Sequence, residues 1–256
     1  MIKKVLFFIA LYLLPFISFS NSNDSRCRFT SFLMKGDMAS WEVMVDSLQK
    51  RNLDKAEDDV LLHAEYALTG YLFSQDKKKE AAIIMSKFEA HLEKKMARYP
   101  NTANYHAFKA ALYGFKIALA PWKAPFYSFS HQREVEKANN LRQNEPLPLI
   151  EQANSYYFRP SLFGGDKVKA MLYYERAFII LSKSPQCNWV FFNSGAWLGQ
   201  VYTKLGYRDK AKATYLFVLE QNPDFQYIRD ELLPQLERGE FIDINEKFEK
   251  MLQKEN

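Results

Sequence analysis

Residues 195–223 read GAWLGQVYTKLGYRDKAKATYLFVLEQNP, and this stretch decides the fold. Leu198, Tyr202 and Leu205 stand at i, i+4 and i+7, one face of a helix. Gly206 then interrupts the pattern, and Ala211, Tyr215 and Val218 repeat it on a second helix that Pro223 ends. Gly199 and Ala211 are small, which lets the two helix backbones approach closely. The spacing predicts two antiparallel helices joined by a turn of a few residues.

A second copy lies upstream. Gly165 precedes Ala170 by five residues, as Gly206 precedes Ala211; Lys169, Tyr174 and Ala177 match Lys210, Tyr215 and Val218. Pro160 ends the first helix of this copy early, so Ser161 stands where the later copy has Tyr202. Ala170 and Ala211 are 41 positions apart, with the surplus falling around 178–188. Fainter copies are Ala67 to Tyr71 with Ala81, Ala82 and Phe88, and helix 103–119 (Ala110, Tyr113) paired with helix 131–143 around Ala138.

In spacing and residue type these hairpins resemble the tetratricopeptide repeat (TPR), whose period is about 34 residues. Gly195 stands where that pattern carries its first aromatic, with Trp197 close by. The resemblance implies an all-α fold of TPR-like hairpins forming a right-handed solenoid over residues 54–237. The chain is also similar to a group of exported TPR-type proteins of Gram-negative envelopes. The residues carrying that similarity are 120–125 (APWKAP), 156–166 ending in Phe163-Gly164-Gly165-Asp166, and 197–200 (WLGQ). Members of that group mostly lack an assigned function, so it speaks to fold more than to mechanism.

Apolar residues recur at helical spacing along the rest of the 256-residue chain. Helices are expected near 30–50, 54–74, 77–98, 103–119, 131–143, 147–158, 166–183, 189–205, 208–221, 225–237 and 241–253, with Pro234 kinking or breaking the last but one. Residues 120–130 hold two prolines and four aromatics, which predicts an ordered loop packed on the helical surface. The expected organisation is a signal peptide at 1–20, an N-terminal helical segment at 21–53, the repeat domain at 54–237 and a C-terminal capping helix at 238–256.

The signal peptide follows from Lys3-Lys4, the uncharged run Val5 to Phe19, and small residues at Ser18 and Ser20. Fifteen apolar residues are short of the ~20 that span a bilayer, so the reading is a cleaved leader and a periplasmic chain, not an anchor. Without Lys3 and Lys4 the chain carries 33 basic and 30 acidic residues, interspersed, which argues against a nucleic-acid binder. Cys27 and Cys187 would meet an oxidising compartment, where they either pair or stay as separate thiols; nothing local places them together.

Stacked hairpins present the first helix of each repeat on an inner wall. The resemblance puts Asn193, Trp197 and Gln200 there in the last repeat, and Gln152, Tyr156 and Arg159 in the one before. Aromatic anchors, backbone-reading amides and a guanidinium suit a protein or peptide partner. The competing arrangement has the helices at 225–253 fold over that wall. Residues 164–167 (GGDK) lack phosphate-loop spacing and read as a helix start at Asp166. Neither a His-Glu-x-x-His helix nor a Gly-x-Ser-x-Gly elbow occurs, and His63 and Glu65 fall on different helix faces. No catalytic residue, cofactor or metal site is expected. The reading is a non-catalytic scaffold holding a protein or peptide partner. The alternative is a small-ligand-binding accessory of a periplasmic solute-uptake system, with 120–130 and Tyr156-Tyr157-Phe158 closing a cavity.

Overall fold

The computed structural model describes residues 22–240. The leader at 1–20 and the helix expected at 241–253 lie outside the described residues. Within them there is no strand, and eleven α-helices follow one another. They are α1 (Ser22–Lys35), α2 (Met38–Gln49), α3 (Lys55–Ser74), α4 (Lys78–Arg98), α5 (Ala103–Leu119), α6 (Ala124–Leu141), α7 (Pro146–Phe158), α8 (Lys167–Leu181), α9 (Trp189–Lys204), α10 (Arg208–Gln221) and α11 (Leu233–Arg238). Helices α3 with α4, α5 with α6, α7 with α8, and α9 with α10 pack as hairpins, and each hairpin packs on the next.

The deciding stretch folds as its spacing predicts. Leu198, Tyr202, Ala211, Tyr215 and Val218 are all buried, and Gly206 takes φ +82 between α9 and α10. Gly199 has a packing reason: a Cβ there would overlap the ring of Tyr215. The aromatic absent at position 195 is explained in the same way, since a Cβ there would already meet Val218 and Phe178. Asp166 starts α8 as expected, its carboxylate accepting from the Val168 and Lys169 N–H groups.

Three expectations are corrected. The single helix at 30–50 is two, because Gly36 adopts φ +64 and Asp37 caps α2 by accepting from Ser40 N. Residues 121–130 are not a loop. Pro121 opens a 3-10 turn (Pro121–Lys123), and Pro125 sits in the first turn of α6, where a missing N–H costs nothing. The helix at 225–237 is a wide π turn (Tyr227–Leu232) that passes into α11, with Pro234 in the first turn of that helix.

The N-terminal segment does more than precede the repeats. Helix α1 packs on α2, α3 and α9, bridging the first hairpin and the last. Phe29 lies 4.6 Å from the Trp41 ring and 5.5 Å from that of Trp189, while Met34 enters the core built by α7 to α10. Cys27 is disulfide-bonded to Cys187, in the seven-residue connection between α8 and α9. The surplus that stretches the repeat period thus carries the half-cystine that fixes α1.

Candidate functional site

The first helices of the four hairpins converge instead of leaving an open inner wall along their whole length. His63 of α3 lies 5.2 Å from the Phe108 ring of α5 and 5.5 Å from the Trp189 ring of α9. One turn on, Tyr66 donates to Glu151 Oε1 of α7 at 2.7 Å. Asn154 Nδ2 donates to the same oxygen at 3.1 Å, and Asn154 Oδ1 accepts from the Tyr174 hydroxyl. A buried polar chain therefore runs from α3 through α7 to α8. Burial pushes Glu151 up from the usual 4.5 to about 7, and lowers His63 from 6.5 to about 3.

This geometry distributes the six wall residues unevenly. Gln152 is buried and its Oε1 accepts from Asn139 of α6 at 3.3 Å. Arg159 also turns to α6, donating to Gln132 Oε1 at 2.9 Å and Ser155 Oγ at 2.8 Å. Tyr156 stacks on Tyr173 of α8 at 5.8 Å, with the Lys169 ammonium over its ring. Trp197 lies 5.5 Å from Tyr157 and 5.9 Å from Phe158, so it joins α9 to α7. Asn193, one turn earlier, is exposed. Gln200 borders a small cleft shared with Tyr215, Leu232 and Leu236.

The C-terminal elements cover part of the wall. Phe225, Ile228, Leu232 and Leu236 are buried against α9 and α10, and Arg208 donates to Leu236 O at 2.6 Å. This covering reaches the Gln200 end of α9. What remains accessible on α7 and α9 is a strip of Asn193, the half-exposed Trp197 and Phe158, and the rim residues Tyr156 and Arg159. Phe158 joins the candidate set here. The sequence offers Phe158 only within the Tyr156-Tyr157-Phe158 cluster of the small-ligand alternative and not among the six wall residues, because it is the last residue before the Arg159-Pro160 break, where helical periodicity no longer assigns a face.

The pairs of helices, the small residues at their contact and their consecutive stacking identify the architecture. It is a TPR-like helical-repeat fold. No protein-family model matches the chain, and no curated protein matches it either. Among solved structures it is similar to the crystal structure of a thermophilic TPR protein of Thermus thermophilus. The two are 15% identical with a TM-score of 0.47, over 90% of this chain and 99% of that one. That similarity carries no information on function, and the fold assignment rests on the chain's own geometry.

Within this frame His91 and His106 are held by carboxylates of neighbouring helices. His91 bridges Glu65 Oε2 at 2.8 Å and Asp58 Oδ1 at 3.0 Å, which raises its pKa against the opposing effect of burial. His106 bonds Glu134 at 2.6 Å and Pro100 O at 2.8 Å. Among the described residues no cluster of His, Cys, Asp and Glu is placed to hold a metal ion, and no helix is long and apolar enough to cross a membrane.

Proposed function

We propose that the protein is a non-catalytic, exported helical-repeat scaffold that holds a protein or peptide partner on the accessible strip of α7 and α9. The observation carrying this reading is the juxtaposition of Trp197 and Phe158, rings 5.9 Å apart and partly open to solvent, one helical turn from the exposed Asn193. Rings supply contact area at little entropic cost, and the amide of Asn193 beside them suits a peptide backbone. Gln152 and Gln200 act from behind the strip, one buried and the other beside the C-terminal cover. Export is supported by the N-terminal charge and apolar pattern and by the Cys27–Cys187 bond, which persists in oxidising compartments.

A photo-crosslinking residue placed at Asn193 tests the reading, with Ile83 on the outer face of α4 as the control position. In cell-envelope extracts, position 193 should give a discrete adduct that position 83 does not. The same adducts at both positions, or none at 193, would refute the assignment.

A further inference from the structure

The 3-10 turn Pro121–Lys123 and the first half of α6 carry a row of exposed apolar side chains. From Pro121 to Arg133 no residue is buried. Trp122 in the 3-10 turn and Phe126 and Phe129 on α6 follow one another at i, i+4 and i+7, 69%, 76% and 75% exposed. The opposite side does the packing: Tyr127 lies 5.8 Å from Tyr113, and farther along Glu134, Val135 and Ala138 are buried. The 3-10 turn Ser161–Phe163 adds Leu162 and Phe163, 88% and 70% exposed. Both sets occupy one end of the α6–α7 pair, since Arg159, two residues before the turn, bonds Gln132, one turn beyond Phe129. Single exposed apolar side chains are ordinary; five large ones gathered at one end are not.

Charge selects the occupant. Between Glu93 and Glu134 the chain carries no acidic residue and seven basic ones. Of these, Lys123 follows Trp122 directly in the chain, and Lys116 reaches the Tyr127 ring from α5. Lys116 is paired with Glu89, Arg133 with Glu134, and Asp166 caps α8; the exposed Glu136 lies farther along α6, where it accepts from Gln132, so Lys123 is the cation set among the rings. The rings project a helical turn apart, a shape suited to a soft surface that closes around each one. Tryptophan beside lysine at such a tip is the chemistry of a bilayer's headgroup layer.

We infer that this end of the molecule docks in the plane of an anionic phospholipid surface. Trp122, Phe126, Phe129, Leu162 and Phe163 enter the boundary between headgroups and acyl chains, and Lys123 meets lipid phosphate. The inference goes beyond the partner reading and is independent of it: a chain that yields no adduct from Asn193 can still bind vesicles.

The test is flotation of the chain from Asn21 to Asn256, which keeps every described residue, with phosphatidylcholine vesicles prepared with and without phosphatidylglycerol. The chain should float with the anionic vesicles and do so less as salt is raised. Trp122→Ser/Phe126→Ser/Phe129→Ser should reduce partitioning by about tenfold or more, and Lys123→Glu should weaken it on anionic vesicles only. Leu162→Ser/Phe163→Ser, on a different element, should reproduce the loss, so misfolding of one variant, checked by circular dichroism, leaves the other decisive. Absence of flotation with either vesicle, or flotation undiminished in both multiple variants, overturns the proposal. So does a vesicle-independent dimer that the triple variant abolishes, because the face would then belong to a second copy of the chain.

Discussion

Cys27 and Cys187 lie 160 positions apart and are covalently joined, their Cα atoms 4.2 Å from each other. The bond ties α1, which packs on the first hairpin, to the connection that opens the last one. It closes a very long loop in the unfolded chain, which a chain-entropy account rewards strongly. Replacing both with serine should lower stability by about 3–5 kcal/mol, measured by urea unfolding. It should also make α1 the first segment cut in limited proteolysis. A loss below about 1 kcal/mol would mean that Phe29 and Met34 hold α1 by packing alone.

Two glycines separate packing from propensity. A Cβ at Gly199 overlaps the Tyr215 ring, so Gly199→Ala should destabilise by about 1–3 kcal/mol. At Gly114, inside α5, the nearest atom to a new Cβ is His131 Cδ2 at 3.9 Å, an ordinary contact. Gly114→Ala should therefore stabilise by about 0.5–1 kcal/mol through helix propensity. Thermal melts that move in the same direction for both variants would contradict this account.

The contrast also shows what the sequence makes legible. Gly199, Ala211 and Tyr215 lie within one hairpin, so their offsets alone report their contact, and the helical-repeat fold follows from them. The Cys27–Cys187 bond and the Tyr66–Glu151 hydrogen bond join segments far apart in the chain, and no local spacing encodes how a stack of hairpins curves. For the same reason Gln152 and Arg159 read as inner-wall residues, although both turn to α6. Residues 121–130 mislead on a finer point: proline forbids a helix interior but suits a first turn, and composition does not distinguish the two.

Glu151 gives the fold a pH dependence that one substitution isolates. In the folded protein its carboxyl titrates at about 7, against 4.5 when unperturbed. The folded state thus keeps a proton that the unfolded chain releases over that interval. Its contribution to stability is complete below about pH 4.5 and is lost as pH rises through about 7. His63, lowered to about 3, acts in the opposite sense: its contribution is present above 6.5 and lost as pH falls. Glu151→Gln keeps an acceptor for Tyr66 and removes only the first slope. Its stability relative to the parent should improve between pH 5 and about pH 7 and level off above that. Parallel unfolding midpoints across that range would rule out the assignment.

Stability and partner capture can be separated on α9, because Trp197 serves both. Its ring fills the space between Tyr157, Phe158 and Tyr174, so Trp197→Ala should cost about 3–5 kcal/mol, as large-to-small changes in packed sites do. Reduced capture in that variant would then report damage to the scaffold as much as a lost contact. Asn193 lies one turn away on the same helix and is exposed, so Asn193→Arg should leave stability within about 0.5 kcal/mol. If the strip is the docking surface, this substitution sets a bulky charge beside the Trp197–Phe158 pair and should lower recovery of the partner trapped from the Phe158 side. Urea midpoints and adduct yield from a crosslinker at Phe158 read the two effects separately. Unchanged yield in Asn193→Arg, with an unchanged midpoint, would remove Asn193 from the surface and leave the partner's footprint on α7.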